Sequence, residues 1–311
     1  MGDKSKIEWL DGGASWNPIT GCTPISEGCA NCYAKTMAET RLRGMFGYDK
    51  EDPFKITFHE DKVTQPLKWK RPRKIFVCSM GDLFHDDVKN WQIVRVFCAI
   101  GLAQQHTFLI LTKRPERMKH YMEKFNPKNV WIGVTAENQR TADERIPILL
   151  DTPAAKRFVS VEPMLEAMNI FNYICPGTKV HMSISVDGAL RNKTFSGFQF
   201  DDGRQMTRAE AKKQLEKLQA QGIKAIGSNK CDNFDPSEGC KGHKKVILDW
   251  VICGAETGQN ARPMDLIWAR DLRNQCAAVN VPFFFKKAGP NNIPIPDDLM
   301  IREYPDYEQQ I

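Results

Sequence analysis

Residues 107–124 read TFLILTKRPERMKHYMEK. The first six are apolar or β-branched without the alternation of a half-buried strand. They suit a strand covered on both faces, as in a parallel sheet. Polar Lys113 and Arg114 follow, then an amphipathic helix over Pro115–Lys124. The same order recurs along the chain. Strand-like runs lie at Ser15–Thr20, Lys74–Met80, Val130–Thr135, Arg157–Val161, Trp250–Cys253 and Pro282–Lys286. Between them the pattern predicts helices at Ala30–Leu42, Asn90–Gln104, Asn138–Leu150 and Leu266–Val279. Alternating strands and helices predict an α/β fold. Six or seven units predict a partial or complete (β/α) barrel, with a doubly wound sheet as the alternative. A length of 311 residues fits one large domain or two ordinary ones.

Residues 166–247 break this order. Val180–Val186 and Thr194–Phe200 read as two strands. Thr207 then opens a helix with Glu210 three residues on, a capping box. Ala211, Leu215 and Leu218 share one face, and Gly222 stands where the helix should end. The expected organisation is therefore 1–165 as the first part of the barrel, 166–247 as a small inserted α+β subdomain, and 248–311 as the last part with a C-terminal tail. The net charge is +6. Between 188 and 247, twelve Lys/Arg minus seven Asp/Glu leave +5, so nearly all the excess lies in the insert. A solvated surface accounts for such an excess; a phosphate-contacting surface is the sharper reading. Lys212, Lys213, Lys244 and Lys245 are its candidate contacts.

With 41% hydrophobic residues the chain can bury a sizeable core. The charged start MGDKSKIEWLDGG lacks the apolar segment of a secretory signal. No run approaches the roughly 18 apolar residues of a membrane span. A cytoplasmic protein is expected. In that reducing setting, ten cysteines are metal ligands, catalytic groups or packing residues sooner than disulfides. Neither a phosphate-binding G-x-x-x-x-G-K-[ST] loop nor a G-x-G-x-x-G fingerprint is present, so a P-loop nucleotidase and a Rossmann dehydrogenase are unsupported.

Residues 21–34, GCTPISEGCANCYA, place Cys22, Cys29 and Cys32 in one loop after the first strand. Structural zinc takes four ligands, and a 4Fe–4S cube normally takes four cysteines. Three cysteines leave an open coordination position, the mark of a reacting metal. This cluster resembles that of the radical S-adenosylmethionine superfamily. Its spacing, C-x6-C-x2-C, departs from the usual C-x3-C-x2-C. Asn31 replaces the aromatic residue before the last cysteine, and Tyr33 stands one place later. SMGDLFHDDV at 79–88 is similar to the superfamily stretch that binds the amino group of S-adenosylmethionine, placing Ser79, Met80, Gly81 and Asp82 there. The blocks WNPITGC, LTKRPERM, NVWIGVTAEN, RFVSVEPML, DWVICGAETGQNARPM and VPFFFKKAG look like those of a phage- and prophage-associated subgroup with the same spacing.

The resemblance implies a cluster on Cys22, Cys29 and Cys32, S-adenosylmethionine on its open iron, and reductive cleavage to a 5′-deoxyadenosyl radical. It implies an electron donor such as flavodoxin or ferredoxin, and a phage- or prophage-encoded protein in a host cytoplasm. Polar residues after the apolar runs are candidates for the cofactor. Lys113 or Arg114 suits its carboxylate. Glu137, Asn138 or Glu162 suits its ribose, and Gly254 admits its adenine. Glu256 lies at the same strand end. His85, Lys286 and Lys287 are catalytic or substrate-binding candidates. Cys231, Cys240 and His243, with Cys175 or His181, form a candidate second site for zinc or an iron–sulfur centre; Cys78, Cys98, Cys253 and Cys276 read as packing residues. The basic insert and the phage resemblance favour a nucleic-acid base or modified nucleotide as substrate, as in phage DNA modification. A radical enzyme acting on a peptide or small metabolite, and a non-enzymatic zinc protein binding nucleic acid, are the alternatives.

Overall fold

The computed structural model describes residues 5, 7–175, 246–258, 260–290 and 293–306. It also gives the backbone of five short strands between 181 and 240. Seven strands form one sheet: β1 (Ala14–Trp16), β2 (Lys74–Val77), β3 (Thr107–Thr112), β4 (Val130–Thr135), β5 (Lys156–Val161), β6 (Trp250–Gly254) and β7 (Phe283–Lys287). Each pairs in parallel with its successor, so spatial order equals chain order. A doubly wound sheet reverses direction once; this one never does. Right-handed crossovers that always advance the same way put every helix on one face. The sheet therefore curls about its other face as a partial (β/α) barrel. Among the described residues the α-helices are α1 (Tyr33–Thr40), α2 (Asn90–Leu102), α3 (Pro115–Phe125), α4 (Gln139–Leu150) and, after a single turn at Phe171–Ile174, α5 (Leu266–Ala277).

Side-chain alternation separates two cores. Outward residues such as Ile75, Phe108, Ile132, Val159, Val251 and Phe283 pack against Ile93, Val96, Met118, Met122, Ile146 and Leu272 of the helices. Inward residues Phe76, Leu109, Trp131, Phe158, Trp250 and Phe284 meet Trp9 and Leu10 from the short turn before β1. That turn plugs the N-terminal end of the barrel. Trp9 stands edge-on to Phe76, with centroids 4.8 Å apart, and to Trp250 at 6.1 Å. The chain beyond β7 covers the edge of that strand: Phe285 N–H donates to the Ile301 carbonyl, and Glu303 N–H to that of Phe283.

The run expected at Ser15–Thr20 divides. Only Ala14–Trp16 joins the large sheet, while Ile19–Thr20 pairs antiparallel with Thr57–Phe58. Proline at position 18 has no N–H for a parallel ladder. Between 181 and 240, His181–Val186 pairs with Ala189–Asn192 and with Ala225–Ser228, and Phe234–Asp235 pairs with Gly239–Cys240. None of these strands belongs to the seven-stranded sheet. The strand expected at 194–200 and the helix from 207 lie outside the described residues, as do Lys212, Lys213, Lys244 and Lys245.

Trp9→Ala should lower the unfolding free energy by about 3–5 kcal/mol, the usual cost of truncating a buried tryptophan, read from the urea midpoint. A loss below about 1 kcal/mol would show that the plug does not hold the barrel floor.

Candidate metal and cofactor site

The cysteine loop crosses the C-terminal ends of the strands, where barrels carry their chemistry. It starts at Gly21, whose φ of +88° and whose approach to the Lys55 carbonyl leave no room for a Cβ. Gly21 also bridges to Gly81, tying the loop to the end of β2. A 3-10 turn covers Glu27–Cys29, and Cys32 is the N-cap of α1. The helix expected from Ala30 thus begins at Tyr33. Cys22, Cys29 and Cys32 are all free and half-buried.

Polar groups at four strand ends hold this loop. At the end of β4, Glu137 is wholly buried and accepts hydrogen bonds from Ser26 Oγ, Lys113 Nζ and Arg145 Nη1, the last at 2.9 Å. Gly28 lies so close to it that a Cβ would sit 2.3 Å from Glu137 Cγ. At the end of β6, Glu256 accepts from Asn31 Nδ2 at 2.9 Å and from the backbone and guanidinium of Arg262. Arg262 also donates to the Glu27 carbonyl. At the end of β2, the Ser79 carbonyl accepts from the Tyr33 hydroxyl at 2.7 Å, and Asn17 Oδ1 accepts from Ser79 Oγ and Met80 N–H. At the end of β3, Arg114 Nη1 lies 3.6 Å from Cys22 Sγ and 3.1 Å from Asp82 Oδ2.

Asp82 is buried and fully engaged. It accepts from Phe84 N–H, Thr112 Oγ1, Lys113 N–H and Arg114. His85 is buried as well. Its Nδ1 accepts from Asp87 N–H, so Nε2 carries the proton that reaches Thr23 Oγ1 at 2.7 Å. Burial, then the Arg114 charge, pushes its pKa down, which agrees with a neutral ring. Asn138 caps α4 by accepting from Thr141 N–H. Lys286 donates to Glu162 at 2.6 Å, and the two side chains flank Gly254. Thr23, Ser26, Asn31, Arg145 and Arg262 are contributors that the sequence reading missed. Thr23, Ser26 and Asn31 were findable as polar residues between the cysteines; the two arginines carried no local signal.

The thiols differ. Burial, then the Asp82 charge, pushes Cys22 up to about 11 against the pull of Arg114. For Cys29, burial is outweighed by Lys113 and by hydrogen bonds from the backbone and from Ser26, so its pKa falls. Among the described residues no three His, Cys, Asp or Glu side chains converge on one metal ion. A cube bound one cysteine per iron asks instead for thiols spread around its body. Three free thiols on one anchored loop, with cations beside two of them, fit such a group. For the second site, Cys175 is half-buried; Cys231 and His243, with the side chains of His181 and Cys240, lie outside the described residues.

The Glu256–Arg262 contact gives a pH prediction. Burial would raise the Glu256 pKa, but the Arg262 and Asn31 hydrogen bonds hold it at about 2 against an ordinary 4.5. A depressed carboxyl pKa contributes stability above the unfolded value, and that contribution fades as pH falls through the folded one. Arg262→Ala should therefore be less stable than wild type above about pH 4.5, with the gap closing toward pH 2. Unfolding free energies of both proteins across this range test it, and a pH-independent gap would rule it out.

No curated protein matches this chain. Among solved structures, a spore photoproduct lyase mutant with bound AdoMet and dinucleoside spore photoproduct is 13% identical, with a TM-score of 0.35. The match covers 52% of this chain and 56% of that one. Spore photoproduct lyase complexed with dinucleoside spore photoproduct is 11% identical, with a TM-score of 0.37, covering 84% of this chain and 59% of that one. This chain thus spans little more than half the length of those structures. A family model described as "Protein of unknown function (DUF5131)" matches residues 4–295, and the chain belongs to that family.

Proposed function

We propose that this protein is a radical S-adenosylmethionine enzyme that modifies a nucleic-acid base or modified nucleotide. One observation carries the reading: three free, half-buried cysteines share one loop, anchored across the C-terminal ends of a parallel sheet whose strand order never reverses. Cys22, Cys29 and Cys32 would hold a 4Fe–4S cluster with one open iron. When bound, it would supply one electron to S-adenosylmethionine, giving methionine and a 5′-deoxyadenosyl radical. Glu137, Glu256 and Arg114 keep the loop in place. Lys286, Glu162 and Gly254, at the inner C-terminal end of β5 to β7, offer a cation, a carboxylate and an open backbone to the cofactor or substrate. Lys287 extends the cationic character of β7.

The nucleic-acid part of the reading rests on charge, with +5 of the net +6 lying between 188 and 247. Residues 166–247 would be a substrate-facing insert, and the resemblance to phage-associated proteins agrees with base modification. Flavodoxin or ferredoxin would supply the electron. Among the described residues no helix is long and apolar enough to cross a membrane.

Protein purified without oxygen should carry about four irons per chain, and the joint change of Cys22, Cys29 and Cys32 to Ala should remove them. With a strong reductant the wild type should form 5′-deoxyadenosine from S-adenosylmethionine. Iron retained by the triple variant, or no 5′-deoxyadenosine from a fully clustered protein, would reject the mechanism. Changing Lys212, Lys213, Lys244 and Lys245 together to Gln should weaken DNA or RNA binding across sequences and flatten its salt dependence, since phosphate contacts release counterions. Equal salt slopes for this variant and wild type would remove the insert from the nucleic-acid surface.

A further inference from the structure

From outside the cysteine loop, Arg114 donates a side-chain hydrogen bond to the Cys22 sulfur; within the loop, Ser26 Oγ lies 3.7 Å from Cys29 Sγ. Arg114 is 8% exposed, and Asp82 beside it is 5% exposed. Arg114 Nη1 spans Cys22 Sγ at 3.6 Å and Asp82 Oδ2 at 3.1 Å. Its Nη2 reaches the Thr23 carbonyl and Oγ1, both at 3.4 Å. Its Nε faces the exposed Asp86 at 3.9 Å. Thr112 fixes both partners, donating from Oγ1 to the Asp82 carboxylate and accepting from Arg114 N–H. His85 steadies Thr23 from the other side. A guanidinium keeps its charge at any working pH. Cys22 therefore has a permanent buried cation at hydrogen-bond range and a buried anion directly behind it.

We propose that Arg114 and Asp82 form a charge pair that sets the reduction potential of the cluster held by Cys22, an inference that rests on the cluster reading above. Reduction adds one negative charge, taken from an external one-electron reductant that is oxidised in the same step. A nearby cation and an N–H donated to a ligand sulfur stabilise the reduced form and raise the potential. A nearby carboxylate lowers it, and burial strengthens both effects. Arg114 and Asp82 thus act in opposite directions. Arg114 also positions the loop through Thr23, but that role alone carries no sign.

The opposite signs make the test. Wild type, Arg114→Gln, Arg114→Lys and Asp82→Asn are purified anaerobically, assayed for iron and sulfide, and titrated with dithionite while the reduced cluster is followed by electron paramagnetic resonance. Arg114→Gln should lower the reduced-to-oxidised ratio at a fixed applied potential by about tenfold, a shift of about 59 mV for one electron. Arg114→Lys, which keeps the charge without the fork, should fall between. Asp82→Asn should move the potential up. Shifts of the same sign in Arg114→Gln and Asp82→Asn, or unchanged potentials with full cluster content, overturn the proposal. If Arg114→Gln holds no cluster, Asp82→Asn decides, and a potential at or below wild type overturns it. Wild-type protein without iron or sulfide overturns the cluster reading itself, and the tuning with it.

Discussion

Glu137 is a carboxylate with no exposure to water, and its charge is kept only because Lys113 and Arg145 close on it. Burial alone would raise its pKa; the two cations bring it below the ordinary carboxylate range. Breaking a buried pair of this kind leaves an uncompensated charge and costs about 3–5 kcal/mol. The constraint is spatial as well as energetic. Lys113 comes from the end of β3 and Arg145 from α4, while Ser26 comes from the cysteine loop. The Glu137 carbonyl also accepts from Leu165 N–H beyond β5. One charge thus sets where three segments meet, its backbone carbonyl joins a fourth, and Gly28 lets the loop come down onto the side chain.

Below that junction the inner face of the barrel changes character along each strand. Phe76, Leu109, Trp131, Phe158, Trp250 and Phe284 fill the N-terminal half around Trp9. Two residues further, Leu111 and Ile252 lie level with Gly133 and Ser160, and Gly254 and Lys286 stand at the ends of β6 and β7, where the register shifts between Cys253 and Gly254. The large rings exclude water from the floor and fix the curvature. The small and polar residues above them leave the C-terminal end free for groups that bind. The Lys286–Glu162 pair sits in this upper layer, half-shielded, where an ion pair keeps more of its strength than on an open surface.

The central strands were legible because they are buried on both faces and read as apolar runs, as in VWIGVT at β4. The exception, Ser15–Thr20, turns on Pro18. Helix starts were less legible where a cap lies inside a motif: Cys32 ends the cysteine spacing and also begins α1. That Cys22, Cys29 and Cys32 share one loop was readable from their spacing. Their anchors were not. Ser26 meets Glu137 across 111 residues, and Asn31 meets Glu256 across 225. Contacts over such separations are fixed by strand order, which no local pattern records.

Strand-end polar residues therefore divide into two kinds that look alike in sequence. Asp82, Arg114, Glu137 and Glu256 each face charged or polar protein groups that bind the loop to the barrel. Lys286 and Glu162 face one another beside Gly254. A ligand that competes for the first kind would have to replace contacts that hold the cysteines. A ligand that approaches the second kind meets one ion pair, and can take the lysine with an anion or the carboxylate with a hydroxyl. The arrangement ties the cysteine loop to the barrel through the first kind and leaves the Lys286–Glu162 pair outside those ties. A site needs that division if the same few strand ends must both fix a reactive centre and receive successive ligands.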